Sequence, residues 1–351
     1  MHSPRFRRVA QGAVVVSAVG VLIACGTLQG PVVAPLKAAT GASLPNCSAL
    51  VSTLKLANTR IESSVPVAAG AVMQGDRPVP EHCLVKGRMH ERKGSDGRYY
   101  AIGFEMRLPM AWNGRFYYQG NGGLDGSVQP ALGALGGGPL TGALMQGFAV
   151  ISSDAGHSGP QTTVFGLEPQ ARLDYGYQAV AKLTPMAKDL IKKVYGKAPD
   201  RSYLGGCSNG GRHALVAATR YGDMYDGILA GAPGYNLPKA AVANIFGAQQ
   251  YMKVPGTTSA DLSAAFTTPE RKLLSAQVLA RCDALDGATD GLIQDVAACQ
   301  KAFSLERDVP TCTAGRDGTC LSAAQKAAIG PIFSGAVTST GAAVYRSFPF
   351  D

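Results

Sequence analysis

The sequence predicts an α/β fold with a doubly wound, mostly parallel sheet. Short apolar, β-prone stretches recur at residues 98–107, 114–119, 147–153 and 225–232. A long amphipathic helical pattern covers residues 173–195, in spite of one internal proline. Strands that alternate with helices are typical of such sheets. With 351 residues and 46% hydrophobic composition, the chain can form one large domain or two smaller ones around a buried core.

The first 25 residues resemble a secretion signal. Three arginines precede an apolar stretch, residues 9–24, that is too short to span a membrane comfortably. It ends in Leu-Ile-Ala-Cys, which resembles a bacterial lipobox and predicts cleavage before Cys25 and lipidation of that cysteine. Ordinary cleavage near residues 37–40 is the alternative. We expect residues 26–46 to be a tether and the protein to be exported, as a periplasmic or outer-membrane lipoprotein or a secreted protein.

The charge pattern argues against a nucleic-acid partner. The formal net charge is +9, and the first 25 residues contain three arginines and no acidic residue, so about +6 remains after their removal. The charges are scattered, with no run of five like charges, as on a solvated surface. We expect a small-molecule substrate, no protein partner, and membrane attachment only through the lipid. A negatively charged substrate is compatible with this charge.

A candidate nucleophile lies in the pattern G-x-S-x-G, residues 206–210. A short β-prone stretch, residues 202–204, precedes it, and apolar residues at helical spacing follow it at residues 212–221. A sharp strand-to-helix turn presents a serine to both a base and a carbonyl, and glycines leave room for it. Ser208 is therefore the predicted nucleophile, and Asn209 N–H can help hold an oxyanion. The alternative is a plain glycine-rich turn in a chain with 44 glycines.

A glycine-rich loop, residues 120–126, follows the strand predicted at 114–119. In a hydrolase of this architecture, that position supplies the second oxyanion donor. A phosphate-binding loop is disfavoured because neither G-K-[ST] nor GxGxxG opening a helix is present. A plain flexible loop remains open as an alternative.

An acidic loop at residues 282–295 follows a change in composition after residue 238. Its aspartates lie three to five residues apart with glycines between them, which suits a hard cation such as Ca²⁺. The spacing is not that of an EF-hand. An Asp/Gly-rich surface turn is the alternative. We interpret residues 47–235 as the core domain and residues 236–351 as an inserted lid.

These features together resemble the tannase/feruloyl esterase family. The resemblance depends on a cysteine directly before the elbow serine, the pattern D-x-x-D-G-x-x-D-G after another cysteine, and Gly-Ala-Pro-Gly at residues 231–234. It extends over residues 47–351, with shorter matching stretches at residues 80–83, 112–116, 165–167, 170–174 and 230–240.

The resemblance implies an α/β-hydrolase fold with a lid inserted after the strand at residues 225–232. Ser208 would be the nucleophile, and the N–H groups of Gly123 and Asn209 would form the oxyanion hole. A structural Ca²⁺ would be held by three side chains and two backbone carbonyls, those of Asp283, Asp286 and Asp290 and of Ala288 and Leu292, respectively.

The resemblance also implies a disulfide pattern. Its pairs would be Cys47–Cys83, Cys282–Cys299 and Cys312–Cys320. In the family, the cysteine before the nucleophile pairs with one beside the catalytic histidine. Here that cysteine is Cys207, and the sequence offers it no partner.

The α/β-hydrolase order places an acid and then a histidine after the serine. Only His213 follows Ser208, and its position one turn along the next helix directs it away from the attack face. His157, at the end of a predicted strand, is expected to be structural. We therefore expect the sequence to end before the catalytic Asp and His, both core and lid to be incomplete, and this 351-residue chain to be inactive.

The predicted activity is hydrolysis of carboxylic esters of aromatic acids through a serine acyl-enzyme. Feruloyl or galloyl esters, or a polyester breakdown product such as mono(2-hydroxyethyl) terephthalate, are the candidate substrates. The alternative is a non-catalytic, calcium-binding exported lipoprotein that keeps the hydrolase fold.

Overall fold

The structure, a computed structural model, describes residues 38–135 and 141–350. The predicted signal peptide, the lipidated Cys25 and most of the tether lie outside the described residues and stay predictions. Within the described part of the chain, none of the helices combines the length and the apolar character needed to cross a membrane.

The described residues form eleven strands, seven of which make one sheet. In chain order the strands are β1 (Ala42–Ser43), β2 (Thr59–Val67), β3 (Met73–Gln74), β4 (Arg77–Pro78), β5 (His82–Lys93), β6 (Tyr99–Pro109), β7 (Ala111–Trp112), β8 (Arg115–Gly120), β9 (Ala149–Ser153), β10 (Arg201–Cys207) and β11 (Gly227–Gly231). The seven-stranded sheet has the order β11-β10-β8-β9-β6-β5-β2. The strands predicted from apolar stretches are present as β6, β8, β9 and β11.

The sheet is mixed, which corrects the expectation of a mostly parallel one. The pairs β9–β8, β8–β10 and β10–β11 are parallel, whereas the pairs β2–β5, β5–β6 and β6–β9 are antiparallel. Strands β5 and β6 are joined by a short turn, and only antiparallel strands can be joined that way. The parallel half carries the predicted elbow.

Nine α-helices accompany the strands in the described residues. They are α1 (Leu50–Thr53), α2 (Pro169–Leu173), α3 (Ala179–Tyr195), α4 (Asn209–Arg220), α5 (Leu237–Tyr251), α6 (Thr268–Cys282), α7 (Val296–Ala302), α8 (Leu305–Asp308) and α9 (Ala323–Ser334). A π-helical turn, Asp174–Gln178, joins α2 to α3. The long helix predicted at residues 173–195 is therefore confirmed, with its first part distorted by this turn.

The two faces of the sheet are covered differently. Helices α3 and α4 pack against Phe116, Ile151 and Leu204 on one face. Neighbouring side chains in the same strands point to the other face, where Val150 packs with Leu144 and loop residues from the segment before β9. A mostly apolar cavity of about 410 Å³ lies on that second face, and it is open enough to leave Leu229 56% exposed.

A second hydrophobic core lies between residues 254 and 350. Helices α6, α7 and α9 contribute Val278, Cys299 and Ile329 to it. Helices α6 and α9 each begin with a capping box, in which a hydroxyl and a carboxylate or amide side chain bond reciprocally to backbone N–H groups. The predicted boundary between core and lid near residue 236, and the incompleteness of both, stay predictions.

The three expected disulfides are confirmed. Cys47–Cys83 lies in the hydrophobic core that contains Phe116, Ile151 and Leu204 of the sheet. Cys282–Cys299 and Cys312–Cys320 lie between residues 254 and 350, where the second core is found. Cys207 is free and half-buried.

Candidate active site

Ser208 lies at a sharp turn between β10 and α4, as the sequence predicted. Its backbone has φ 59° and ψ −119°, a conformation that non-glycine residues rarely adopt. Ser208 N–H donates to the carbonyl of Gly231 at 3.0 Å, and Gly234 N–H donates to the carbonyl of Ser208 at 3.0 Å. Contacts from the segment after β11 thus hold the strained turn, and the Ser208 side chain is exposed.

The glycines of the elbow are required by close backbone approach. A Cβ on Gly206 would lie 2.6 Å from Cα of Gly210, and one on Gly210 would overlap the carbonyl of Gly120. Because real Cβ atoms essentially never come so close to backbone, neither position accepts a side chain without a shift of the chain. The G-x-S-x-G spacing is therefore explained by the packing of α4 against β10 and the end of β8.

A cavity of about 420 Å³ opens beside Ser208 at the carboxyl ends of β8 and β10. Ligands of α/β proteins commonly bind at this edge of the sheet. The lining is mostly apolar and includes Pro130, Leu132 and Cys207. Gln119 and Ser208 supply polar side chains to it. This composition and size are typical of small-molecule sites.

One wall of this cavity is anchored by buried side chains of the sheet. The Glu105 carboxylate accepts from Ala131 N–H at 2.9 Å, and the Gln119 side chain accepts from Gly133 N–H at 2.8 Å. Arg107 donates to Glu105 at 2.7 Å and to Nε2 of His82 at 2.9 Å. Burial lowers the pKa of His82, which agrees with a neutral ring that accepts from the guanidinium.

The two predicted oxyanion donors each follow directly in sequence on a lining residue of this cavity, Gly123 on Gly122 and Asn209 on Ser208. Gly123 has φ 66° in a turn that Asp125 N–H closes on the carbonyl of Gly122 at 3.4 Å. Asn209 is the first residue of α4, where N–H groups have no partner within the helix. No described residue accepts a hydrogen bond from either N–H. Both groups are thus available to a ligand, and their role stays a prediction.

Behind the elbow lies a buried polar network that the sequence analysis missed. The Asp125 carboxylate accepts from Nδ2 of Asn209 at 2.7 Å and contacts Nε2 of His213 at 2.8 Å. The Asn209 side-chain oxygen accepts from Tyr175 Oη at 3.0 Å and from Arg212 Nε at 2.7 Å. The sequence signal for this network was Asp125, an acidic residue inside a glycine-rich loop. Its hydrogen-bond partners are more than 80 residues away in the sequence, so no local pattern identifies them.

No described residue forms a hydrogen bond with Oγ of Ser208, so the described part of the chain places no base there. His213 is bonded to Asp125 instead, a partner that the sequence analysis did not predict. His157 is buried and stacked on Phe165 with ring centroids 3.8 Å apart. Burial lowers the pKa of His157, which favours a neutral, structural ring.

The acidic loop has the oxygen-rich donors that Ca²⁺ prefers, but its carboxylates are turned toward backbone groups. Asp283 accepts from the N–H groups of Asp290 and Gly291, and Asp286 accepts from those of Ala288 and Gln294. No three His, Cys, Asp or Glu side chains converge at metal-binding distance among the described residues. The donor chemistry fits Ca²⁺, and the predicted site, with the carbonyls of Ala288 and Leu292, stays a prediction.

Residues 83–351 match the family model for tannase and feruloyl esterase. The chain is 38% identical over 294 residues to a mono(2-hydroxyethyl) terephthalate hydrolase of Piscinibacter sakaiensis, a match that covers 78% of this chain and 48% of the relative. It is 33% identical over 230 residues to a probable feruloyl esterase B-1 of Neosartorya fischeri, covering 66% and 41% of the two chains.

Solved structures show the same similarity. Feruloyl esterase B from Aspergillus oryzae superposes with a TM-score of 0.68 at 28% identity, covering 86% of this chain and 58% of that one. The tannin acyl hydrolase from Aspergillus niger superposes with a TM-score of 0.61 at 22% identity, covering 88% and 56%, which supports the fold. This chain spans about half the length of the curated relatives it matches.

Proposed function

The chain belongs to the tannase and feruloyl esterase family and has an α/β-hydrolase fold, and from that premise we propose that it hydrolyses carboxylic esters of aromatic acids with Ser208 as the nucleophile. The observation that supports this most directly is the exposed, strained Ser208 beside a cavity of about 420 Å³. The N–H groups of the residues that follow Gly122 and Ser208 in its lining have no hydrogen-bond partner among the described residues.

In the proposed reaction, Oγ of Ser208 attacks the ester carbonyl carbon and its proton passes to a base. The carbonyl electron pair moves to oxygen, and the N–H groups of Gly123 and Asn209 stabilise the resulting oxyanion. Collapse of this intermediate expels the alcohol, which takes up the proton, and leaves an acyl-Ser208. Water then attacks the acyl group by the same steps and releases the acid.

The base is the part of this proposal that the described residues do not supply. Family members use a histidine, and none of the described histidines bonds to Ser208. Loss of one triad member typically costs several orders of magnitude in rate. We therefore propose that the 351-residue chain turns over very slowly while Ser208 keeps a measurable reactivity above that of a serine in an unfolded chain.

The substrate class follows from the cavity and the relatives. The relatives include a terephthalate-ester hydrolase and feruloyl esterases, whose names both denote esters of a ring-bearing acid. An apolar cavity with Gln119 at its rim can hold such a ring and one polar substituent. Feruloyl, galloyl and terephthalate esters all carry such a ring with a polar substituent.

The experiment that tests this function is covalent labelling of Ser208. The purified chain is treated with a fluorophosphonate, and the modified peptide is identified by mass spectrometry beside the Ser208→Ala variant and the urea-unfolded chain. Labelling confined to Ser208 of the folded chain supports the proposal. Equal labelling of folded and unfolded chains contradicts it. Acyl-enzyme formation from methyl ferulate, methyl gallate and mono(2-hydroxyethyl) terephthalate then ranks the substrates.

A second candidate is favoured by the lack of a described base at Ser208: an exported, calcium-binding lipoprotein without catalysis. The three disulfides support export, because such bonds persist in oxidising compartments. Absence of any Ser208 labelling, together with calcium binding, would favour this second function.

The calcium site is itself a proposal for either function. The aspartates at 283, 286 and 290 would turn from backbone N–H groups to the ion, whose role would be to fix the loop. We expect Ca²⁺ to raise the melting temperature, and Asp286→Asn to abolish the increase while leaving Ser208 labelling unchanged. An equal increase with Mg²⁺, or none with either ion, would contradict a calcium-specific site.

A further inference from the structure

We propose that Asp125 is a positioning residue, which holds the glycine-rich loop and helix α4 in register so that the N–H groups of Gly123 and Asn209 converge on one oxyanion. The inference rests on the proposed function of Ser208, and it assigns a role to a residue that does not itself touch the reacting atoms.

The first observation is a buried carboxylate that bridges two chain segments. Only 2% of the Asp125 side chain is exposed. Its Oδ2 accepts from Asn209 Nδ2 at 2.7 Å and lies 2.8 Å from His213 Nε2. Asn209 and His213 are four residues apart, so both side chains project from one face of α4. One oxygen of the loop is thus bound to two successive turns of the helix.

The loop end of this bridge is rigid and lies next to the first donor. Asp125 is two residues after Gly123, and its N–H closes the turn on Gly122. Asp125 itself has φ 56°, in the left-handed region. Gly126 N–H donates to the carbonyl of Asp154, the residue after β9, at 3.1 Å. This hydrogen bond attaches the end of the loop to the end of strand β9. A shift of the carboxylate would therefore move Gly123 with it.

The helix end of the bridge fixes the second donor. Asn209 carries the proposed N–H, and all of its side-chain polar atoms are bonded: Nδ2 to Asp125, and Oδ1 to Tyr175 and Arg212. This pattern also determines which end of the amide is oxygen, since carboxylate and guanidinium face opposite ends. The residue after the nucleophile is thus held on both sides, by the loop and by its own helix.

The chemistry of His213 agrees with this role. In the tautomer that carries a proton on Nε2, the ring donates to Asp125, and its buried Nδ1 has no partner in the described residues. The Arg212 guanidinium lies 3.2 Å from Nε2 and stacks on the Tyr175 ring, 4.4 Å from its centroid. The buried carboxylate therefore has a positive charge in its network, which offsets part of its loss of hydration.

A charged bridge of this kind differs from ordinary core packing in how much it contributes to the free energy of unfolding. A buried, hydrogen-bonded charge adds little stability compared with apolar residues of the same volume. Its advantage is geometric: Asp125 and Asn209, 84 residues apart, join two distant segments whose donors must meet within a fraction of an ångström.

The test uses two pairs of variants in the 351-residue chain. Asp125→Ala removes the bridge, and Asp125→Asn keeps an oxygen that can accept from Asn209. His213→Leu removes the second donor, and His213→Gln replaces Nε2–H with an amide donor. The control is Asp154→Asn, another largely buried aspartate beside the loop, whose side chain accepts from Gly103 and Gly156 and makes no contact with α4.

Two quantities are measured: the rate constant for fluorophosphonate labelling of Ser208, and hydrogen exchange of the peptide that contains residues 120–126. Loss of one oxyanion donor costs about 10²–10³-fold, so we expect Asp125→Ala to lower the labelling rate by about 30- to 100-fold and His213→Leu by about tenfold. Both should accelerate exchange in the loop. Asp125→Asn and His213→Gln should recover most of the rate, and Asp154→Asn should leave it within about twofold.

The outcomes separate the two proposals. If Ser208 of the unaltered chain is not labelled, the proposed function fails, and the exchange measurement still decides whether Asp125 holds the loop. If Ser208 is labelled and Asp125→Ala matches the unaltered chain in rate and exchange, the positioning role is overturned. If Asp125→Ala does not fold, the labelling rates of His213→Leu and His213→Gln are compared instead. Equal rates for these two variants would overturn the positioning role.

Discussion

The elbow region, residues 115–235, and the disulfide region, residues 254–350, maintain their structures by different means. In the elbow region, glycine backbones approach within contact distance, and a buried network joins the loop, the strand and the helix. No disulfide lies within it. The disulfide region has short helices around a smaller core, two cross-links and the Glu270–Arg316 ion pair.

The difference shows what each region must accomplish. The proposed nucleophile and the two proposed oxyanion donors need one geometry, which close backbone packing and directional hydrogen bonds impose. A region that supplies none of these groups needs only to remain folded, and cross-links that limit the unfolded chain achieve this without fine adjustment of the core. We therefore expect substitutions in the elbow region to alter reactivity, and those in the disulfide region to alter stability alone.

The largest effect is expected from Gly210→Ala. The new methyl group would overlap the carbonyl of Gly120, so helix α4 must move away from β8. Overpacking of this kind costs about 3 kcal/mol in unfolding free energy, and we expect Ser208 labelling to be lost. Urea unfolding and fluorophosphonate labelling measure the two effects.

The matched control is Gly247→Ala, a glycine in helix α5 with no atom near the position of its Cβ. Replacing an unconstrained helical glycine with alanine stabilises a protein by up to about 1 kcal/mol. Equal effects of the two substitutions would show that close backbone packing does not set the elbow glycine apart from an unconstrained helical glycine.

A smaller effect, on stability alone, is expected from removing the Cys282–Cys299 bond. The bond closes a 17-residue separation between two fully buried sulfurs. Replacing both cysteines with serine should lower the unfolding free energy of the disulfide region by about 3 kcal/mol. Limited proteolysis should then cleave first after residue 254, and Ser208 labelling of the uncleaved chain should remain. A simultaneous loss of labelling would mean that the two regions are coupled.

The smallest effects concern pH, and they have opposite signs in the two regions. Burial raises the pKa of Asp154, in the elbow region, to about 7. Between about pH 4 and 7 the folded protein keeps a proton that the unfolded chain has released, so stability from this group falls as pH rises. Hydrogen bonds from Arg316 lower the pKa of Glu270 to about 2, so the stability it contributes is lost as pH falls below about 4.5.

Two variants isolate these contributions. The melting temperature of Asp154→Asn, relative to the unaltered chain, should increase from pH 4 to pH 8. The melting temperature of Glu270→Gln should lie furthest below that of the unaltered chain near neutral pH, and the difference between the two should shrink toward pH 2. If both differences are independent of pH, neither carboxyl group titrates as the structure indicates.

Much of the candidate site could be predicted from local sequence. The glycines at 206 and 210, the β-prone residues before them and the helical pattern after them predicted the turn at Ser208, because short-range sterics determine such a turn. The same is true of the free N–H groups of Gly123 and Asn209, which follow from a glycine turn and a helix start. The disulfide pairs were implied by the family resemblance, and the structure contains them.

Other features depended on segments distant in the sequence. The antiparallel half of the sheet, the cavity beside Ser208 and the bond between Asp125 and His213 were not predicted. Each requires knowing which strands become neighbours, and no local pattern around Asp125 indicates that His213 is 2.8 Å away.

The sequence by itself determined that a serine stands on a strained strand-to-helix turn, since backbone sterics act over a few residues. Only the tertiary structure decided what surrounds that serine: which strands become neighbours, which carboxylate joins the glycine-rich loop to helix α4, and which walls form the cavity. The physical reason is that these contacts are selected by packing of the entire sheet, where the buried area of many elements, and not the preference of any one, determines the arrangement.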